Sequence, residues 1–298
     1  MIHETSNAES PAILRITVFS MWLYHLWHDP IHELASMPMV LFSPIGVLDL
    51  LPSAVWPLIL SGPFLWTMKI LLLLTLPLLI LGVRPFSRIA IPVCIALKLY
   101  QGLTRSYGKI NHGELAMLYA AYVLAISPCV DALSVMKPRR PSTNSRYAAA
   151  LFAMAAVLCL TYTFVGVRRF AVGGLEVFLD ESILSYVAHR SAEPGPFGLN
   201  FGLMVLEHPL MSKLLEVSFF VLTAFEALSM LALFNRWFRW CWVVVMLGFH
   251  VSTIITMQIS FSANMVLIVL LLTPATPYAS TRIHTMLAHR TQAGDGIA

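Results

Sequence analysis

His112, the adjacent pair Arg168 and Arg169, Glu226 and His250 are the residues of this 298-residue chain whose side chains could do chemistry, because each lies in or at the end of an apolar run. Ionisable groups inside apolar segments of membrane length are costly, and they usually face one another or a wet cavity. Arg168 and Arg169 close an uncharged run that begins at Tyr147. About 20 such residues, rising 1.5 Å each, span the hydrocarbon core of a bilayer. The pair has two readings: an anchor that snorkels to the headgroups, or a fixed positive centre facing a cavity between helices. In the second reading Arg169 donates hydrogen bonds to a carbonyl or anionic oxygen, and His112 or His250 moves protons, since imidazole titrates near neutral pH. Each residue also has a structural alternative. His112 could cap the start of a span, His250 could be a satisfied buried ring, and Glu226 could form an ion pair with a neighbouring helix.

Three further histidines, His25, His28 and His32, have the i, i+3, i+7 spacing that places imidazoles on one helical face. Such a face can hold zinc, but Pro30 interrupts the helix between the second and third, and interfacial histidines are the simpler reading. No metal is assigned. The four cysteines lie in or beside apolar segments without a CxxC pair, and read as small buried hydrophobes. Lys69 and Lys98 can reach a membrane surface or a carboxylate with their long stems, and stay outside the candidate site.

The elements that must position these residues are membrane spans. The chain is 58% hydrophobic and 11% charged, where soluble domains carry about 25% charged residues. The composition predicts an all-α, polytopic membrane helix bundle with no large soluble domain. A polar tail over 1–10, a transmembrane domain over 11–275 and a second polar tail over 276–298 complete it. Eight spans are expected, near 12–27, 63–83, 89–103, 113–135, 147–170, 214–234, 240–257 and 261–273. Between the first two, Ser43 to Leu60 is broken by Pro44, Pro52 and Pro57 and reads as an external or half-inserted segment. Between the fifth and sixth, mixed charge and apolar residues predict amphipathic surface helices. The polar start MIHETSNAES argues against a cleavable signal peptide.

The bias of lysine and arginine among the loops sets orientation. With both termini cytoplasmic in a cell membrane, the basic turn at Arg84 and Arg88, the linker from Lys137 to Arg146, and Arg236 with Arg239 all fall inside. The net charge of +4 reflects those loops and gives no reason to expect nucleic-acid binding. Membrane lipids are the expected partners. That topology brings His25, His28, His112, Arg168, Arg169 and Glu216 toward the outer leaflet, with His250 nearer the middle, and predicts a pocket opening outward.

Several of these features occur in one order: Asn111-His112 ahead of a span, aromatic residues and Gly166 before the basic pair between Tyr162 and Arg169, Glu226 followed by Asn235-Arg236, and Gly248-Phe249-His250 followed by a polar-aromatic stretch through Phe261. In that order, over about residues 11 to 275, the chain resembles the HTTM (horizontally transferred transmembrane) family and the related membrane domain of vitamin K-dependent gamma-carboxylases. The resemblance implies a cavity for a quinone-like, lipid-soluble molecule. In the carboxylases, oxygenation of vitamin K hydroquinone drives deprotonation of a glutamate, with a lysine of the basic pair as proposed base and a histidine matching His112 assisting. Here arginines stand in that pair, and a guanidinium stays protonated where a desolvated lysine can lose its proton. The tryptophan usual after the pair is missing, with Leu175 and Glu176 in that neighbourhood. These 298 residues also hold no counterpart of the large extramembrane region of the animal enzymes. The expectation is therefore a protein without glutamyl carboxylase activity that binds or oxidises a quinone-like molecule through His112, Arg168, Arg169, Glu226 and His250, with Arg169 and His250 touching it. The alternative is a non-catalytic membrane protein that binds a lipid or partner, or a small transporter.

Overall fold

The computed structural model describes residues 7–108, 113–136, 141–179, 181–191, 200–276, 278–279 and 281–282. All regular structure among them is helical. His112 and the basic residues Lys137, Arg139 and Arg140 lie outside the described residues.

The chain forms two compact units, His3–Met154 with Pro274–Ala298, and Ala155–Thr273 with Met1–Ile2. The N-terminal unit is built on α1 (Glu9–His28), α3 (Gly62–Ile80), α4 (Phe86–Ser106) and α5 (Leu115–Ile126), with a single short turn of helix, α2 (Trp56–Ile59), ahead of α3. Leu14, Val18, Trp22 and Leu26 of α1 are fully buried, and their four-residue spacing makes one stripe. On α3, Leu65, Leu72, Leu76 and Leu79 are buried while Trp66, Ile70, Leu71 and Leu74 are exposed. A helix apolar on both its inner and outer faces suits a lipid environment better than water.

Proline and capping chemistry set the helix ends. Helix α1 stops at His28, with Asp29 extended, because Pro30 disfavours the helical conformation in the residue before it. Four short 3-10 turns then run from Ile31 to Val55, where the sequence predicts a broken apolar piece. Ser61 caps α3 by accepting from the Phe64 amide at 3.4 Å. Helix α5 covers only Leu115–Ile126, with Ser127 extended before Pro128, so the expected span over 113–135 is shorter than its apolar run. The stretch that follows is held by Asp131, which accepts from the Ser142 amide at 2.8 Å and the Tyr147 hydroxyl at 3.0 Å and pairs with Arg84.

Helix α6 (Asn144–Gly173) is divided between the units at Met154, and the C-terminal unit continues with α7 (Glu176–Leu179), α8 (Ser182–Arg190), α9 (Phe201–Glu207), α10 (Pro209–Ala227), α11 (Arg236–Met257) and α12 (Ser262–Leu272). Asn235 caps α11, accepting from the amides of Trp237 at 2.9 Å and Phe238 at 3.0 Å. Helix α10 begins earlier than the span expected from 214, because Pro209 suits the first turn of a helix. Among the described residues four helices, α3, α4, α6 and α11, are long and apolar enough to cross a membrane. Helices α5 and α12 are apolar but have 12 and 11 residues, short of the roughly 20 that a full crossing takes.

Candidate functional site

In the C-terminal unit the structure brings Arg169 and Glu226 together. One guanidinium nitrogen of Arg169, Nη1, donates to the Glu226 carboxylate and lies 3.5 Å from the Thr223 hydroxyl. The Glu226 side chain is 3% exposed and that of Arg169 31%. Thr223 and Glu226 are three residues apart and therefore share one face of α10. The approach depends on Gly166, one turn before Arg169. A methyl group there would sit 2.8 Å from both Cα of Ala227 and the carbonyl oxygen of Thr223, and nearer still to the Ala227 amide nitrogen. These obstacles are backbone atoms and cannot rotate away, so Gly166→Ala is expected to force α6 from α10 at a cost of about 1–3 kcal/mol. Reversible unfolding of the detergent-solubilised protein would read that loss, and an unchanged midpoint would show that the helices part without cost.

Arg168, the other member of the basic pair, is exposed. Glu216 pairs instead with Lys213 at 2.8 Å, three residues away on the same helix.

His250 is 1% exposed on α11. Its Nε2 lies 2.6 Å from the Tyr162 hydroxyl, and its ring is flanked by Phe249 and Phe261 at 5.1 Å each. Nδ1 has no hydrogen-bond partner. Tyr162 packs edge-on against Trp242, whose indole donates to Ser229 Oγ at 2.8 Å. His250 is thus locked into a buried polar cluster with Tyr162, and Ser229 of that cluster donates in turn to the Glu226 backbone carbonyl at 2.7 Å.

Between α8, α10 and α11 lies an apolar cavity of about 360 Å³. Its wall includes Ile183, Phe219, Leu222, Phe249, Ser252 and Thr253, and no charged residue or histidine. The hydroxyl proton of Thr253 goes to backbone carbonyls, so that hydroxyl is an acceptor toward the cavity. Phe219 links cavity and ion pair: the Arg169 guanidinium lies over its ring, 5.3 Å from the centroid. A guanidinium has five donor hydrogens, and the contacts to Glu226 and Thr223 both use Nη1.

The N-terminal unit holds a second polar cluster that the sequence reading missed. His25 Nε2 lies 3.1 Å from Glu114 and 3.7 Å from Asp29. Tyr100 donates to Asp29 and lies 3.3 Å from His25 Nε2, while Lys69 Nζ donates to the Asp29 carbonyl at 2.8 Å. Nothing in the spacing of residues 25, 29, 69, 100 and 114 marks them as partners. The faint signals are Asp29 among the histidines and Glu114 at the start of an apolar run. The three closely spaced histidines diverge: His28 bonds the Tyr24 carbonyl through Nδ1 at 2.8 Å, and His32 stacks on Trp66. Among the described residues no three His, Cys, Asp or Glu side chains are arranged to hold a metal.

Among the described residues, fold and clusters define an all-helical protein with four helices long and apolar enough to cross a membrane and ionisable groups paired within its helical units. Comparisons with protein-family models, curated protein sequences and solved structures gave no match.

Proposed function

We propose that this chain is a multi-pass membrane protein, with eight spans and both termini cytoplasmic, related to the HTTM and vitamin K-dependent carboxylase membrane domains, and that its C-terminal unit binds a quinone-like, lipid-soluble molecule. The observation that carries the binding role is that Phe219, a residue of the apolar cavity's wall, has the Arg169 guanidinium over its ring. A cavity of about 360 Å³ is at the smaller end of ligand pockets, which run from roughly 300 to 1,000 Å³, and suits a substituted ring better than a long chain. The apolar wall would take the ring, and the spare donors of Arg169 one carbonyl oxygen. The ordered motifs around Arg169 and His250 support the family assignment. The bias of basic residues supports the orientation.

Binding without turnover is favoured over oxidation by one feature. The wall has no histidine or carboxylate to exchange a proton with the ligand, and the His250 Nε2 is occupied by Tyr162. The test is titration of the detergent-solubilised chain with decylubiquinone, followed by quenching of tryptophan fluorescence. Saturable quenching is expected, weakened at least tenfold both by Leu222→Trp, which fills the cavity, and by Arg169→Gln. Undiminished binding in the two variants would remove the site.

A further inference from the structure

Between α1 and α3 the chain runs through four short 3-10 turns and the single turn α2, and its inner side is fixed on the C-terminal end of α4. The Ser43 amide donates to the Ser106 carbonyl at 2.9 Å, and the Phe42 ring lies 5.2 Å from that of Tyr107. Leu48 fits against Gly102, where a methyl group would come within 2.7 Å of Leu48 Cδ1. This inner side is apolar, as a packed face should be. The outer side is apolar as well: Val40 is 89% exposed, Leu50 82%, Val47 69% and Leu58 67%. Over residues 31–60 the charged residues are Glu33 and Asp49, with no lysine or arginine. The histidine of this stretch, His32, stacks on Trp66.

Exposed apolar areas of this kind mark contact with protein or with a membrane. Two observations favour the membrane. Proline and turn hydrogen bonds withdraw the segment's backbone donors: Pro38, Pro44, Pro52 and Pro57 have no N–H, and the amides of Leu41, Phe42, Leu48, Leu51 and Val55 donate to carbonyls three residues back at 3.0–3.2 Å. A segment beside hydrocarbon needs this, since no water meets an open amide there. A water-facing loop does not. The outer side also continues a surface suited to lipid. The segment leads into α3, whose exposed residues Trp66, Ile70, Leu71 and Leu74 are apolar. Tyr24 and Trp27 near the end of α1 are exposed too, and the bond from Lys69 to the Asp29 carbonyl brings that end beside the start of α3. Exposed aromatic residues gathered in this way form the belt expected at headgroup level.

We propose that residues 37–58 are a lipid-binding surface that lies in the headgroup–acyl boundary of the leaflet where α3 begins, with Val40, Val47, Leu50 and Leu58 among the acyl chains. Apolar faces of this kind sink about 5–10 Å into that boundary. The stretch does not cross the bilayer, because irregular backbone open to lipid is not tolerated in the hydrocarbon centre. Its packing on α4 holds it at a fixed depth. The proposal rests on the reading of α3 as a membrane span and is independent of the quinone site.

The test is spin labelling of the full chain in phosphatidylcholine liposomes, with collision measured against oxygen, which concentrates in lipid, and a nickel chelate, which stays in water. The background is Cys241→Ser, since Cys94, Cys129 and Cys159 are buried. Labels enter at Val40→Cys and Leu50→Cys, at Glu33→Cys as the polar reference, and at Leu71→Cys on the outer face of α3; all four positions are exposed, so the labels leave the packed side intact. The oxygen-to-nickel ratio at Val40 and Leu50 is expected to be roughly threefold or more above that at Glu33, and to approach that at Leu71. A smaller ratio, with Leu71 still open to oxygen, would make the segment a water-facing loop and overturn the proposal. Labels at Val40 and Leu50 shielded from both reagents would overturn it in favour of a protein partner or a second copy of the chain. A Leu71 label open to nickel would instead remove the membrane reading of α3, so the two failures are distinct.

Discussion

Arg169→Ala is expected to destabilise the protein by about 3–5 kcal/mol, the cost of leaving a buried charge without its partner. The expected damage is asymmetric. Glu226 is the more enclosed member, at 3% side-chain exposure against 31% for Arg169. Once the guanidinium is gone, the carboxylate keeps the Thr223 side of α10 and a wall of hydrocarbon. It must then take up a proton or draw in water. Glu226→Gln is the milder change, because Arg169 retains solvent contact and the Phe219 ring. The double variant Arg169→Ala with Glu226→Gln should recover most of the loss, since no charge is then stranded. Unfolding of all four proteins in mixed micelles completes the thermodynamic cycle. If the two single variants were equally mild and their effects simply additive, the pair would be a surface contact of little consequence.

A comparable loss, about 3–5 kcal/mol, is expected for Arg15→Ala in the N-terminal unit, for a different reason. Arg15 is fully buried on α1, and backbone carbonyls accept from its guanidinium. It donates through Nη1 to the Cys129 carbonyl at 2.8 Å and through Nη2 to the Leu133 carbonyl. Those acceptors lie just beyond the end of α5, where carbonyls lack intrahelical partners. Truncation removes the charge but strands the buried Cys129 carbonyl, at about 1–3 kcal/mol, and the half-buried Leu133 carbonyl, and opens a cavity the size of a long side chain. Gly82 belongs to the same arrangement. It adopts φ +69°, and a methyl group there would meet Ser134 Cβ at 2.7 Å and the guanidinium carbon of Arg15 at 2.9 Å. Arg15→Lys should recover only part of the stability, because a single ammonium replaces a planar fork. A loss below about 1 kcal/mol in Arg15→Ala would mean that water satisfies both carbonyls.

The sequence by itself determined the class of protein and most of its helices. Apolar runs of bilayer length, few charges and proline breaks depend only on how each segment partitions between water and hydrocarbon. That local property could be read at Tyr147 to Arg169 without knowing any neighbour. Pro30 announced the end of α1, whereas the apolar run beyond Pro128 hid the end of α5, which the expected span carried to 135. The ion-pair reading of Glu226 was likewise open from its place in an apolar segment, because a buried carboxylate needs a partner. Which cation served it was not. Tertiary structure alone chose Arg169 over Arg168, turned His250 toward Tyr162, gave Arg15 two carbonyls and gathered His25 and Tyr100 from two helices with Asp29 and Glu114 from the residues flanking α1 and α5. The physical reason is rotational. Composition places a helix in the membrane, but the direction in which each side chain points depends on how the helix turns about its own axis. That turn is settled by close contacts such as Gly166 on Ala227, which exist only once the helices have packed.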